Sequence, residues 1–75
     1  MQANPFVYRE KFTIHYTSRK VDYGHIPAYT ILENQGEKAV EIKHSTGSPR
    51  DSHEDALRAA AQAAISWLDA NRAHS

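Results

Sequence analysis

Hydrophobic and polar residues alternate through the first part of the chain. From Phe6 to Thr17, in "FVYREKFTIHYT", aromatic and aliphatic side chains occupy one parity and polar or basic side chains occupy the other. This alternation is typical of a strand with one buried face and one face in water, and it predicts a first strand over residues 6–17. Glu10 falls on the apolar parity, which leaves three alternatives: the strand begins there, bulges there or lies at an edge.

A loop and a second strand are expected next. Gly24 can adopt positive φ and Pro27 cannot donate a ladder hydrogen bond, so "SRKVDYGHIP" predicts a loop. The second strand is expected over about residues 28–33. In "AYTILE" both parities contain apolar groups, and we expect an exposed Tyr or Ile on its outward face.

The third strand follows a turn. In "NQGE", Asn34 and Gly36 tolerate left-handed conformations, and a connection this short favours an antiparallel hairpin. The pattern "KAVEIKH" predicts a strand over about residues 38–44. Its expected orientation places Val40 and Ile42 inward, with Glu41 and Lys43 outward.

The end of the chain reads as one long helix over about residues 53–71. Alanine is the best helix former, and no residue in this segment breaks the pattern. Ser52 is expected to cap the helix, with Asp55 three residues later completing an approximate capping box. A 100° spacing places one apolar stripe on the helix: Leu57, Ala60, Ala61, Ala64 and Leu68, flanked by Ile65 and Trp67.

These elements predict an α+β fold. We expect a three-stranded antiparallel sheet in the order β-β-β-α, with the C-terminal helix packed on one face, and residues 1–75 forming one domain. A chain of 75 residues buries a modest fraction of its surface, and without cysteine it has no disulfide. A packed core or a partner subunit must therefore stabilise it.

Charge and hydropathy narrow the classes of partner. Nine basic and nine acidic side chains give a net charge of zero, so no global field attracts nucleic acid or an anionic membrane. The sequence shows neither an N-terminal apolar run of the signal-peptide type nor a membrane-spanning segment. We therefore expect a soluble, cytoplasmic protein.

Little in the sequence indicates catalysis or a metal. His15, His25, His44, His53 and His74 show no ligand spacing, and the serines lie at turns or caps. No enzymatic activity, metal or cofactor is expected. The start of the helix could attract an anion, but Asp51, Glu54 and Asp55 already interact with the helix dipole there and would repel a phosphate.

The exposed face of the sheet is the candidate binding surface. Two interpretations remain open: a protein-interaction or self-associating module, in which Val7, Tyr29 and Ile31 make contacts, or a nucleic-acid-binding module. A homodimer and a monomer are equally compatible with the sequence. The candidate residues of this face are Arg9, Lys11, His15, Arg19, Tyr29 and Lys43.

Parts of the chain resemble known families. Pro27, Tyr29, the turn at Gly36 and "EDALRAAAQAAISWL" resemble the latter part of double-stranded RNA-binding domains, without their lysine cluster. The order β-β-β-α also resembles the first part of HicB-like antitoxins, without their strand-loop motif. The whole chain is similar to short bacterial proteins of unknown function that end in "W-[IL]-D", and this resemblance implies a fold but no activity.

Overall fold

The structure, a computed structural model, describes residues 3–72, so His74 lies outside the described residues. Its antiparallel strands follow one another in space in chain order, β1-β2-β3-β4. The α+β class and the single helix are confirmed, but the expected three-stranded sheet is corrected to one with four strands. The elements are β1 (Phe6–Tyr8), β2 (Phe12–Val21), β3 (Gly24–Gln35), β4 (Lys38–Thr46) and α1 (His53–Asn71).

The predicted first strand is in fact a hairpin of β1 and β2. Arg9 and Glu10 have φ values of 53° and 62°, and the Lys11 amide donates to the Tyr8 carbonyl at 3.3 Å. Two successive residues with positive φ form the kind of tight turn that matches the right-handed twist of paired strands. The misplaced parity of Glu10 therefore marks a chain reversal.

Strand β3 begins at Gly24, four residues before the predicted start at residue 28. Gly24 has a φ of 139°, and a Cβ atom there would lie 2.6 Å from the Arg50 carbonyl oxygen. Next to it, His25 and Arg50 exchange backbone hydrogen bonds of 2.9 and 2.7 Å. The loop after β4 thus returns to pair with the start of β3, which requires a residue without a side chain.

The core lies between α1 and one face of the sheet. The predicted inward parity of β2 is confirmed, and the alanine-rich stripe of α1 packs on it. Leu57, Ile65 and Trp67 are half-buried around this core. The buried apolar residues are Phe12, Ile14, Tyr16, Tyr29 and Ile31 on the sheet, and Ala56, Ala60, Ala61, Ala64 and Leu68 on the helix.

The helix begins as the sequence predicts. Ser52 is the N-cap in an extended conformation, and its hydroxyl accepts a hydrogen bond of 3.1 Å from the Asp55 amide. The Asp55 carboxylate, which was expected to complete a capping box, instead accepts from Arg58 one turn later. At the other end, the Arg72 amide donates to the Leu68 carbonyl at 2.7 Å. The bonds at Ser52 and Arg72 satisfy backbone groups at the two ends of the helix.

Gly24→Ala should destabilise the fold more than Gly36→Ala. Gly36 also has positive φ, but no atom lies within 4 Å of its added Cβ, so only the left-handed strain of about 1–2 kcal/mol applies. Gly24→Ala adds a collision with backbone and should cost at least about twice as much. Urea unfolding followed by circular dichroism gives both values, and equal costs would contradict the close approach of Arg50.

Ser52→Ala should lower the free energy of unfolding by about 1 kcal/mol, because the Asp55 amide loses its acceptor. Ser48→Ala, in the exposed loop before the helix, is the matched control and should change stability by less than about 0.5 kcal/mol. The same loss in both variants would show that Ser52 does not act as a cap.

Candidate functional site

No helix or strand among residues 3–72 covers the face of the sheet opposite α1, and we call this face the outer face. Successive residues of a strand point to opposite sides of the sheet, and cross-strand partners point to the same side. The register therefore shows which residues belong to the outer face. The residues of the outer face are Val7 on β1; Thr13, His15, Thr17 and Arg19 on β2; Ile26, Ala28, Thr30, Leu32 and Asn34 on β3; and Ala39, Glu41, His44 and Thr46 on β4.

The middle of this face carries no lysine, arginine, aspartate or glutamate. We call this part the central patch. Val7 is 60% exposed at one side of it. The charged residues of the outer face lie around it: Arg19 towards one end of β2, and Glu41 on β4, where it pairs with Leu32. Lys11 precedes the other end of β2, and its ammonium faces Glu33. The central patch comprises Val7, Thr13, His15, Thr17, Ala28, Thr30, Leu32 and His44.

Polar groups of the outer face bond to one another. Thr30 Oγ1 and His44 Nδ1 lie 2.8 Å apart across β3 and β4, and Thr13 Oγ1 donates to Asn34 Oδ1 at 3.3 Å across β2 and β3. His15 pairs with Thr30 from the other side, so His15, Thr30 and His44 form one row across three strands. These bonds satisfy polar atoms within the sheet, which lowers the cost of removing water from this surface.

The structure separates the six predicted binding residues. His15 and Arg19 lie exposed on the outer face, as their parity predicts. Arg9 lies in the β1–β2 turn, where its guanidinium is 3.7 Å from Asp69 Oδ1 and stacks over the Tyr8 ring. The Lys11 ammonium lies 3.6 Å from Glu33 Oε2. Two of the basic groups are therefore already engaged with carboxylates.

The predicted outward positions of Tyr29 and Lys43 are wrong. Tyr29 is only 7% exposed and belongs to the core under α1, together with Ile31. The Lys43 ammonium lies 5.7 Å from the centre of the Trp67 ring, on the helix side. A β-bulge explains Lys43, because the register passes from Ile31–Lys43 to Leu32–Glu41 and skips one residue of β4.

The outward residues of β3 are therefore Ala28, Thr30 and Leu32, which the sequence did not single out. The sequence signal for them was that the side chains of the other parity of β3 are larger. Tyr29 and Ile31 are larger, and they align in register with Tyr16 and Ile14, whose inward parity was clear. Matching the two strands by side-chain volume would have placed Leu32 outside.

Glu33 is the one buried charged residue among those the structure describes, at 8% exposed. Gln35 Nε2 donates to it at 3.0 Å, and its other oxygen faces Lys11 and Arg72 at 3.6 and 3.8 Å. The hydrogen bond from Gln35 lowers the pKa of the Glu33 carboxyl. Burial raises this pKa, whereas the positive charges of Arg72 and Lys11 lower it further, so that the net direction is down. A carboxylate held ionised in this way is poorly suited to general acid catalysis.

Two grooves flank α1. A groove of about 340 Å³ lies on the β4 side, where Tyr29, Ala60 and Ala63 meet the loop at Arg50. A second groove, of about 500 Å³, lies on the other side, with Leu57 and Tyr16 in its walls. Both arise where the narrow helix leaves the wider sheet uncovered. The first groove is lined mainly by alanines and by small or polar groups, whereas the second joins Tyr16 and Leu57 to four polar or charged residues.

Within residues 3–72, no group of three or more His, Asp or Glu side chains is arranged to hold a metal ion. In the same part of the chain, the helix is not long and apolar enough to cross a membrane. No protein-family model, curated protein or solved structure matches this chain.

Glu33→Gln should reduce the loss of stability in acid. Because the folded-state pKa of Glu33 lies below its unfolded value, ionised Glu33 stabilises the fold above the unfolded pKa, and this contribution is lost as pH falls through the folded pKa. Urea unfolding between pH 6 and about pH 3 spans this window for a glutamate. Glu33→Gln should give the shallower pH dependence.

Glu37→Gln changes the net charge equally in the exposed β3–β4 turn and is the control. Gln35→Ala keeps the Glu33 carboxylate but removes its main partner, so it should give an intermediate slope. If Glu33→Gln and Glu37→Gln show the same pH dependence as the unaltered protein, the interactions around Glu33 do not lower its pKa.

Proposed function

We propose that this protein is a small, non-catalytic self-association module that forms a homodimer through the central patch. The observation that carries the proposal is the distribution of charge on the outer face. Threonine, alanine, aliphatic and histidine side chains occupy its centre, and the charged Arg19 and Glu41 lie at its margin. Protein interfaces have this arrangement, with charges depleted at the core and a polar rim.

The packing of the sheet supports the same proposal. One helix covers one face, and Val7 and Leu32 lie on the other side without a covering layer among residues 3–72. A second sheet packed at about 10 Å is the usual way to cover such a face. Leu32 and Val7 lie in the same row with Thr13, so they would supply the apolar centre of the contact.

The two edges of the sheet, β1 and β4, are less suited to pairing, and β1 offers only the three residues Phe6–Tyr8. Strand β4 carries a bulge and alternates lysine and glutamate at Lys38, Glu41 and Lys43. Charges and bulges on an edge strand discourage another strand from pairing with it. The contact between copies is therefore proposed at the face of the sheet.

A second copy of the chain is a suitable partner for this face because the chain carries no net charge. Two identical molecules then approach without the repulsion that keeps highly charged proteins apart. Strand spacing and rise give the patch dimensions of roughly 20 by 20 Å, or ~400 Å² on each partner. This is about half of a standard interface, so we expect a dimer that dissociates in roughly the micromolar range.

The basic residues favour this proposal over nucleic-acid binding. Lys11, just before β2, and Arg19, within it, lie eight residues apart, which corresponds to about 27 Å of extended chain, and the outer-face residues between them are uncharged. Arg9 and Lys43 contact groups outside this face. No continuous basic track for a phosphate backbone follows from this arrangement.

A cytoplasmic location, as expected from the sequence, suits a cysteine-free chain of this kind.

Leu32→Lys and Thr17→Lys should each convert the dimer to a monomer, because a lysine in the central patch would be buried opposite another copy. Sedimentation equilibrium at pH 8 should give twice the chain mass of 8.5 kDa for the unaltered protein. Each variant should weaken association by at least about tenfold. Circular dichroism and urea unfolding check that each remains folded.

Ser66→Lys, on the exposed side of α1, adds the same charge away from the patch and should leave the dimer intact. A monomer at all concentrations up to about 1 mM would contradict the proposal. In parallel, a labelled RNA duplex is titrated at low salt. Salt-sensitive binding that is lost in Arg19→Glu, together with a monomeric mass, would instead support the nucleic-acid alternative.

A further inference from the structure

Two histidines lie within the central patch. His15 on β2 and His44 on β4 flank Thr30, and both are exposed in the single chain. A dimer formed through this patch would cover both side chains. Histidine is the side chain whose charge normally changes between pH 5 and 8, and burial disfavours its charged form.

We infer that the homodimer dissociates as pH falls from about 8 to about 5.5, because His15 and His44 must be neutral within the interface. This inference rests on the dimer proposed above and adds its regulation. The direction of the pH effect follows from linkage, because the single chain, with both imidazoles exposed, binds protons more readily than the dimer does. Acid therefore favours the separated chains.

The groups around His15 favour it as the main sensor. On the outer face its neighbours are Val7 from β1, Thr30 from β3, and Thr13 and Thr17 from its own strand, all without charge. The helix lies on the opposite side of the sheet. The basic residues Lys11, just before β2, and Arg19, within it, are each four residues from His15, or about 13 Å along the chain, a distance at which salt largely screens their charges.

The surroundings of His44 differ. Its Nδ1 lies 2.8 Å from Thr30 Oγ1, and the outward residues beside it on β4 are Thr46 and Glu41. Unlike His15, His44 therefore has a hydrogen-bond partner on the next strand and a carboxylate on its own strand. The larger share of the pH dependence is therefore assigned to His15.

The expected change in the dissociation constant follows from the number of histidines that must lose a proton. A histidine with the usual midpoint near pH 6.5 is about tenfold more often charged than neutral at pH 5.5. If one such residue in each of the two copies must lose its proton, the dissociation constant rises about a hundredfold between pH 8 and pH 5.5. A contribution from His44 would increase this factor.

The test measures the dissociation constant by sedimentation equilibrium at pH 8.0 and pH 5.5. The unaltered protein should show the increase of about a hundredfold. The double variant His15→Gln/His44→Gln should still dimerise at pH 8.0, with constants that agree within about threefold at the two pH values. His53→Gln, which removes a histidine from the start of α1, should keep the full pH dependence.

The outcomes separate this inference from the proposed function. A dimer of equal strength at both pH values would overturn the pH switch and leave the dimer in place. A pH dependence that persists in the double variant would also overturn it, because other groups would then respond. A monomer at both pH values, with circular dichroism showing a folded chain, would overturn the dimer and the switch together.

Discussion

One helix has to cover a sheet that is wider than itself, and this constraint determines what the rest of the molecule exposes. A helix is about 10 Å wide, whereas four strands span roughly 19 Å. Helix α1 packs over β2 and β3, where its alanines allow close approach and Leu68 fills the space between. Strand β1 is held by contacts of Tyr8 and Arg9 with Asp69, and β4 carries the half-exposed Val40. The opposite face of the sheet has no covering element within residues 3–72.

The elements with strong local signals could be predicted from the sequence. The helix, its cap at Ser52 and the inward parity of β2 all follow from periodicity and capping, which act over a few residues. The β1–β2 hairpin could not be predicted, because Arg9 and Glu10 adopt positive φ without the Gly, Asn or Asp that usually marks such a turn. The early start of β3 depends on Arg50, a distant residue that pairs with His25.

The proposed binding surface was less predictable because it depends on register. Strand β3 has apolar side chains on both parities, and only its alignment with β2 places Tyr29 inside and Leu32 outside. Lys43 points to the helix side because a bulge adds one unpaired residue to β4. The local sequence pattern does not predict this bulge. The correct register changes a predicted basic face into a patch of threonine, alanine, aliphatic and histidine side chains with charges at its margin.

The central claim is that the central patch is buried between two copies of the chain. An isotope-filtered NOE spectrum of a mixed sample, with one copy labelled and the other unlabelled, detects contacts between chains directly. The account predicts intermolecular contacts of the methyl groups of Val7, Ala28 and Leu32, which lie on the outer face. Intermolecular contacts confined to α1 or the edge of β4, or none at millimolar concentration, would contradict it.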